Sequence, residues 1–210
     1  MSMIPDKPPF KLLDILYKKE FILFVVLITI LIINSNLTPY FLDLYNLIDS
    51  TFLFSEKAII ALTMTFVIIA RQIDLSVASI IAVSSVVLGY TTSLGYDTWL
   101  VISLTLLSGA LCGAFNGAII TKFAIPSIIV TIGTMSLFRG LAYSFLEDSY
   151  YNKFPKIVSN LGSGYLFGYI PYAFLTFILL ALVFAFILHK TTVGKKIFSI
   201  GNNPDAAQYT

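Results

Sequence analysis

The sequence is poor in the residues from which active sites are usually built. Its 210 residues include one histidine, His189, and one cysteine, Cys112. A single peripheral histidine leaves no room for a Ser-His-Asp set, and no His, Cys and carboxylate cluster has metal-ligand spacing. One cysteine cannot form an internal disulfide, and Cys112 lies inside an apolar segment, so it does not report a redox compartment. There is no G-x-x-x-x-G-K-[ST] phosphate loop, which excludes ATP hydrolysis in this chain by that route. An enzyme reading therefore has little support, and no cofactor or metal is expected. Charge is scarce as well. Only 11% of residues are charged and the formal net charge is +2, too small to suggest a nucleic-acid partner.

What fills the chain instead is apolar. Hydrophobic residues make up 58% of the sequence and the mean hydropathy is +0.90, so the solvent this composition suits is a lipid bilayer. A spanning helix needs roughly 20 predominantly apolar residues, and such segments recur. The first begins with "FILFVVLITILII", residues 21–33, and runs to about Leu37. Its length and the lack of a small-residue cleavage site argue against a cleaved signal peptide. Residues 34–55 read as a polar, aromatic-rich connection holding Pro39, Asp43 and Asp49. Apolar runs follow at 58–70, 73–89, 99–121, 126–146 and 172–188, the last two separated by a loop rich in Tyr, Gly and Asn. The expected fold is all-α, a polytopic transmembrane helical bundle of about six spans. Its parts are a basic N-terminal segment 1–20, a membrane domain 21–189 and a basic tail 190–210.

One stretch breaks the pattern. "VIIARQIDLSVASIIAV" places Arg71, Gln72, Asp74 and Ser76 between two apolar runs. Either these residues form a tight turn between two crossings, or residues 58–89 are one crossing broken in the middle. Cytoplasmic flanks collect Lys and Arg, and with a cytoplasmic N-terminus the turn reading puts Arg71, Lys122, Lys190, Lys195 and Lys196 inside. The broken-crossing reading sends all but Arg71 outside, so six crossings are expected. The run 58–70 is only about 20 Å of helix. The helix then begins earlier, near Thr51, or the turn dips into the bilayer, where irregular backbone survives only inside protein or beside a water-filled cavity. The cluster reads either as a solvated turn with Asp74 capping a helix from Leu75, or as part of a pore lining or gate.

Other polar features are sparser. "GALCGAFNG" sets Gly109, Gly113 and Gly117 four apart, a small-residue ladder suited to close helix packing, with Asn116 beside it as an interhelical hydrogen bonder. A helix opened by Pro126 carries a polar stripe of Ser127, Thr131, Thr134 and Arg139. Arg139 either snorkels outward or pairs with Glu147, Asp148 or Asp74. The tail "GKKIFSIGNNPDAAQYT" holds a turn at Gly201-Asn202-Asn203-Pro204 and then the start of a short helix at Pro204 and Asp205. The sequence stops inside that helix, as a fragment would.

Three motifs together, "QIDLSVASIIA", "IPSIIVTIGTMSLFRGLAY" and "GKKIFSIGNNPDAA", resemble the permease subunits of ribose-type sugar ABC importers, in order and spacing. "TPYFLDLYNLIDSTFLFSEKAIIALTM" is similar to a rhamnose importer permease. Arg71-Gln72, where many ribose-type members have Gly-Gly, resembles the same branch. The resemblance implies a multi-pass protein of the bacterial inner membrane, its N-terminus cytoplasmic, forming half of a path for rhamnose or a related monosaccharide. It implies a separate cytoplasmic ATPase, an extracytoplasmic sugar-binding protein and a second permease, identical or different. It also implies further spans beyond this sequence. Gly201, Asn202, Asn203, Asp205, Ala206 and Ala207 would then couple to the ATPase. Arg71, Gln72, Asp74, Ser76, Ser127, Thr131, Thr134 and Arg139 would lie near the path. The rivals are an ion-driven secondary transporter, with Asp74 as the sole coupling carboxylate within a span, and a non-transporting membrane scaffold.

Overall fold

The structure is a computed structural model and describes residues 19–147 and 150–207. The chain divides into two compact units, Met1–Ser50 and Thr51–Thr210. In the first unit, helix α1 (Lys19–Leu37) carries an apolar stretch from Phe21 to Ile33, broken only by Thr29. At its end Asn34 Nδ2 donates to the Ile30 carbonyl at 2.8 Å and Asn36 Nδ2 to the Ile32 carbonyl at 2.7 Å. These side chains bond carbonyls one turn back on their own helix, so they add to its ladder without interrupting it. A short turn follows, and helix α2 (Leu44–Ile69) then begins. The polar connection expected over 34–55 is thus far shorter. Asp43 accepts from the Leu47 amide at 2.9 Å to open α2, and Ser50 Oγ donates to the Leu47 carbonyl at 2.7 Å. Polar residues that satisfy themselves on the helix's own backbone do not interrupt it.

The second unit contains the rest of α2 and the remaining elements. These are α3 (Val77–Ser93), α4 (Thr98–Phe123), α5 (Ser127–Leu146), α6 (Lys156–Ser163), strands β1 (Tyr165–Leu166) and β2 (Ile170–Pro171), α7 (Tyr172–Lys190), α8 (Thr192–Asn202) and α9 (Pro204–Ala207). Strands β1 and β2 pair antiparallel, Tyr165 opposite Pro171. The expected loop between α5 and α7 therefore has structure of its own. Among the described residues, α1, α2, α4, α5 and α7 are long and apolar enough to cross a membrane, and α3 is a shorter apolar helix.

Why each helix starts where it does is local chemistry. Asp97 caps α4 by accepting from the Trp99 amide at 2.9 Å, and Thr191 caps α8 by accepting from the Gly194 amide at 3.4 Å. Pro126, Pro155 and Pro171 precede α5, α6 and α7, where a missing N–H leaves no bond unmade. The tail differs from expectation in one respect. Gly201 and Asn202 are the last turn of α8, not a free turn, and the chain breaks only at Asn203 before α9.

Side-chain contacts fix how the helices run. Ser76 meets Asn116 and Ser84 meets Ser108, so α3 and α4 are antiparallel. Ile73 meets Ser127 and Thr131, while Gly89, sixteen residues on, lies against Tyr151 beyond the end of α5, so α3 and α5 run the same way. Phe54 packs on Phe174 and Phe177, and Phe66 on Phe184, so α2 and α7 are parallel. The 70–76 connection, the end of α4, the start of α5 and helix α8 consequently share one side of this unit. The 94–97 turn and the 150–171 segment share the other. Glu56, Ile60 and Met64 of α2 share a cleft with Ala78 and Ile81 of α3, so the chain reverses at the 70–76 connection.

Candidate functional site

The connection between α2 and α3 is where the polar residues gather. Helix α2 ends in a Schellman motif: the Gln72 amide donates to the Val67 carbonyl at 3.0 Å and the Arg71 amide to the Ile68 carbonyl at 2.9 Å. The residue that closes such a motif sits in the left-handed region, usually as glycine. Here it is Arg71, at φ 57°. From Gln72 to Ser76 the backbone is not helical, and α3 starts at Val77 rather than at the expected Leu75.

Three neighbouring helices hold this extended segment. Ser127 Oγ, at the first turn of α5, accepts from the Ile73 amide at 3.1 Å, and Thr131 Oγ1 donates to the Ile73 carbonyl at 3.3 Å. Asp74 Oδ1 accepts from both the amide and the hydroxyl of Ser76, at 2.8 and 2.7 Å. Asn116 Nδ2 of α4 donates to Ser76 Oγ at 2.8 Å. The result is a relay, Asn116 to Ser76 to Asp74, in which each hydrogen bond polarises the next. Ser76, Asn116, Ser127, Thr131 and Thr134 are all buried. Asn116 lies seven residues before the end of α4, which puts the relay about 10 Å inside that end. Non-helical backbone at such depth is stable only when protein partners satisfy its N–H and C=O groups, and Ser127 and Thr131 do so at Ile73.

The third neighbour is α8. A Cβ on Gly201 would collide with the Ile69 carbonyl oxygen, and would lie 3.6 Å from Ala70 Cα. Gly201 therefore rests directly on the last turn of α2, beside Arg71. A Cβ on Gly194 would likewise collide with the Leu188 carbonyl, which presses the start of α8 against the end of α7.

The predicted site residues thus fall into two places. Arg71, Gln72, Asp74, Ser76, Ser127 and Thr131 come together at the connection, with Thr134 one turn further along α5. The hydroxyls of Ser76, Ser127 and Thr131 are engaged in holding it. Arg139 is three turns beyond Ser127, about 18 Å along the helix, which separates it from Asp74. It makes no ion pair among the described residues, and Asp148 lies outside them. In the tail, α9 carries Asp205, Ala206 and Ala207. In the glycine ladder, a Cβ on Gly109 would lie 3.2 Å from Ser84 Oγ across the α3–α4 contact, whereas Gly113 and Gly117 face open space in this chain.

Clefts lie beside α3 on its α2 side and on its α5 side. One, about 500 Å³, lies between α2 and α3 and is lined by Glu56, Met64, Asp74 and Ala78 among others. The other, about 520 Å³, lies on the α5 side and includes Arg139. Glu56 is the residue that sequence reading missed. It precedes the apolar run at 58–70, but α2 begins well before that run, and Glu56 lines the same cleft as Asp74.

Residues 46–210 match the family model described as branched-chain amino acid transport system / permease component. The chain belongs to this permease family. Curated relatives agree. The permease is 34% identical to an autoinducer 2 import system permease protein, LsrD, of Klebsiella pneumoniae, over 90% of this chain and 59% of the relative. It is 32% identical to the ribose import permease protein RbsC of Haemophilus influenzae, over 88% of this chain and 58% of the relative. It is 34% identical to the LsrC permease protein of an autoinducer 2 import system in Escherichia coli, over 71% of this chain and 44% of the relative. The chain spans about three-fifths of the length of the first two. No solved structure matches it. The family match agrees with the permease reading of the three sequence motifs and with the all-α, multi-helix fold.

Proposed function

We propose that this permease is the membrane-spanning subunit of an ATP-driven importer for a neutral sugar, rhamnose or a related monosaccharide. It works by alternating access and carries out no covalent chemistry. ATP is hydrolysed on a separate cytoplasmic ABC ATPase, the sugar arrives from an extracytoplasmic binding protein, and a second permease completes the path. The setting is a bacterial inner membrane with the N-terminus in the cytoplasm.

One observation carries this reading: the buried, polar-stitched break at 70–76 abuts the tail helix through Gly201 and Ile69. A movement imposed on α8 and α9 reaches that break through backbone contact, without a long chain of flexible side chains. Broken helices with polar ends near a central path are a recurring transporter device. The charge distribution supports the orientation, since Arg71, Lys122, Lys190, Lys195 and Lys196 all lie on the connection side. In this reading Arg71, Gln72 and Asp74 line the path at the break, Ser76, Ser127, Thr131 and Thr134 support it from buried positions, and Arg139 lies toward the outer end. Gly201, Asn202, Asn203, Asp205, Ala206 and Ala207 receive the ATPase. The relatives named for ribose and autoinducer 2 import support a small polar cargo of this kind.

The test is Ala206→Arg in the full assembly with its ATPase. A docking helix accepts no bulky charge at its contact, so sugar uptake should fall to background. Wild-type uptake by this variant would overturn the coupling assignment.

A further inference from the structure

The second cleft beside α3 has a chemistry of its own. Its lining includes Arg139 and Tyr143 from α5, Ser85 from α3, and Tyr150, Tyr151 and Phe154 from the segment after α5. It lies on the side opposite the 70–76 connection. Arg139 is seven residues short of the end of α5, so the cleft reaches about 10 Å below that end.

Two details mark it as a built feature. A Cβ on Gly89 would come within 2.5 Å of the Tyr151 ring, which means that α3 is notched there and the tyrosine lies in the notch. Arg139, a permanent cation and the one charged residue of α5, has no carboxylate partner among the described residues. A guanidinium at such depth is costly and normally faces a polar partner or an aqueous path. Here its five N–H donors share a cleft with three phenols, a serine hydroxyl and a phenylalanine ring.

We propose that this cleft is an entry site for a neutral, monosaccharide-sized polyol, occupied before the cargo reaches the break at Asp74. The inference rests on the importer reading above and deepens it. Hydroxyl and ring oxygens of a sugar accept from Arg139, the tyrosine and serine hydroxyls both donate and accept, and the C–H face of the ring lies on the aromatic surfaces. A volume of about 520 Å³ falls within the range of roughly 300–1,000 Å³ typical of small-molecule sites. The lining offers one cation and several ring faces, which suits a polyol better than a phosphate, whose charge calls for several converging cations or backbone amides.

The experiment uses the permease assembled with its ATPase and binding protein in proteoliposomes, with Cys112→Ser as background. Ser85→Cys is labelled by a membrane-impermeant thiol reagent from the binding-protein side, with ribose, rhamnose or ribose 5-phosphate as protecting probe. Protection by a neutral sugar and none by the phosphate is expected. In parallel, Arg139→Gln should raise the KM for uptake roughly tenfold or more, the usual scale for losing a charged hydrogen-bond donor, with the ATPase still bound. If Ser85→Cys assemblies import sugar on ATP yet no sugar protects them, the entry site is wrong and the importer reading stands. Protection by the phosphate alone overturns the polyol assignment. Absence of ATP-dependent uptake by the unmutated assembly overturns both.

Discussion

At the scale of single residues, Arg71 is the most informative side chain. A non-glycine residue in the left-handed region costs about 1–2 kcal/mol, and Arg71 occupies it to close the Schellman motif. Replacing it with glycine removes that strain but adds unfolded-state freedom worth about 0.5–1 kcal/mol. Relief of strain outweighs the added freedom, so Arg71→Gly should stabilise the permease by up to about 1 kcal/mol, read as a higher melting temperature of the solubilised assembly. Uptake should move the opposite way, because the guanidinium is proposed to line the path. A variant that is both less stable and fully active would contradict the αL argument and the assignment together. The neighbouring relay shows the converse, a side chain wholly committed to structure: Ser76 has no exposure to solvent and its hydroxyl is engaged by Asn116 and Asp74.

At the scale of elements, the contacts sort the second unit into two groups. Helices α3, α4 and α5 pack on one another and are joined by the Asn116–Ser76–Asp74 relay and by Ile73 with Ser127 and Thr131. Helices α2 and α7 meet edge-to-face through Phe66 and Phe184, and α8 rests on both through Gly201 and Gly194. The 70–76 segment is the short link between the groups. Gly201→Ala tests that joint. The new methyl meets a backbone carbonyl rather than the end of a flexible side chain, so α8 must shift, at the cost of about 1–3 kcal/mol typical of overpacking. Uptake should fall by roughly tenfold or more while ATP hydrolysis by the bound ATPase continues. Gly113→Ala, with no atom within 4 Å of its Cβ position, should leave the isolated chain unharmed. If it instead breaks the assembly, another helix packs there. Most of the helices were legible in the sequence because lipid-facing segments are apolar all round. The start of α2 was not, since Asn46 and Ser50 look like a loop until their side chains are seen bonded to the Phe41 and Leu47 carbonyls. The Asn116 contact was half legible: an asparagine in an apolar helix signals a partner, but not that the partner is a serine forty residues earlier. The contact between Gly201 and Ile69 left no sequence signal beyond the glycine itself.

For the whole molecule the question is which side of the bilayer each end of the second unit meets. The internal contacts already place the 70–76 connection with α8 and oppose both to the 150–171 segment, so one measured position orients every helix in the unit. Five Lys and Arg residues lie on the connection side, and Lys153 and Lys156 on the other. A reversed insertion would translocate the Lys190, Lys195 and Lys196 cluster, against the bias that retains such residues in the cytoplasm. Ser199→Cys, placed in α8 on a Cys112→Ser background, should therefore resist an impermeant thiol reagent in intact cells and react once the membrane is opened. Gly162→Cys, at the end of α6, should show the reverse and react in intact cells. The pair guards against a trivial result, because a buried or misfolded site fails to react from either side. Were Ser199→Cys labelled from outside and Gly162→Cys from inside, α8 would meet the wrong compartment for an ATPase. The contact between Gly201 and Ile69 would then have no motor to transmit.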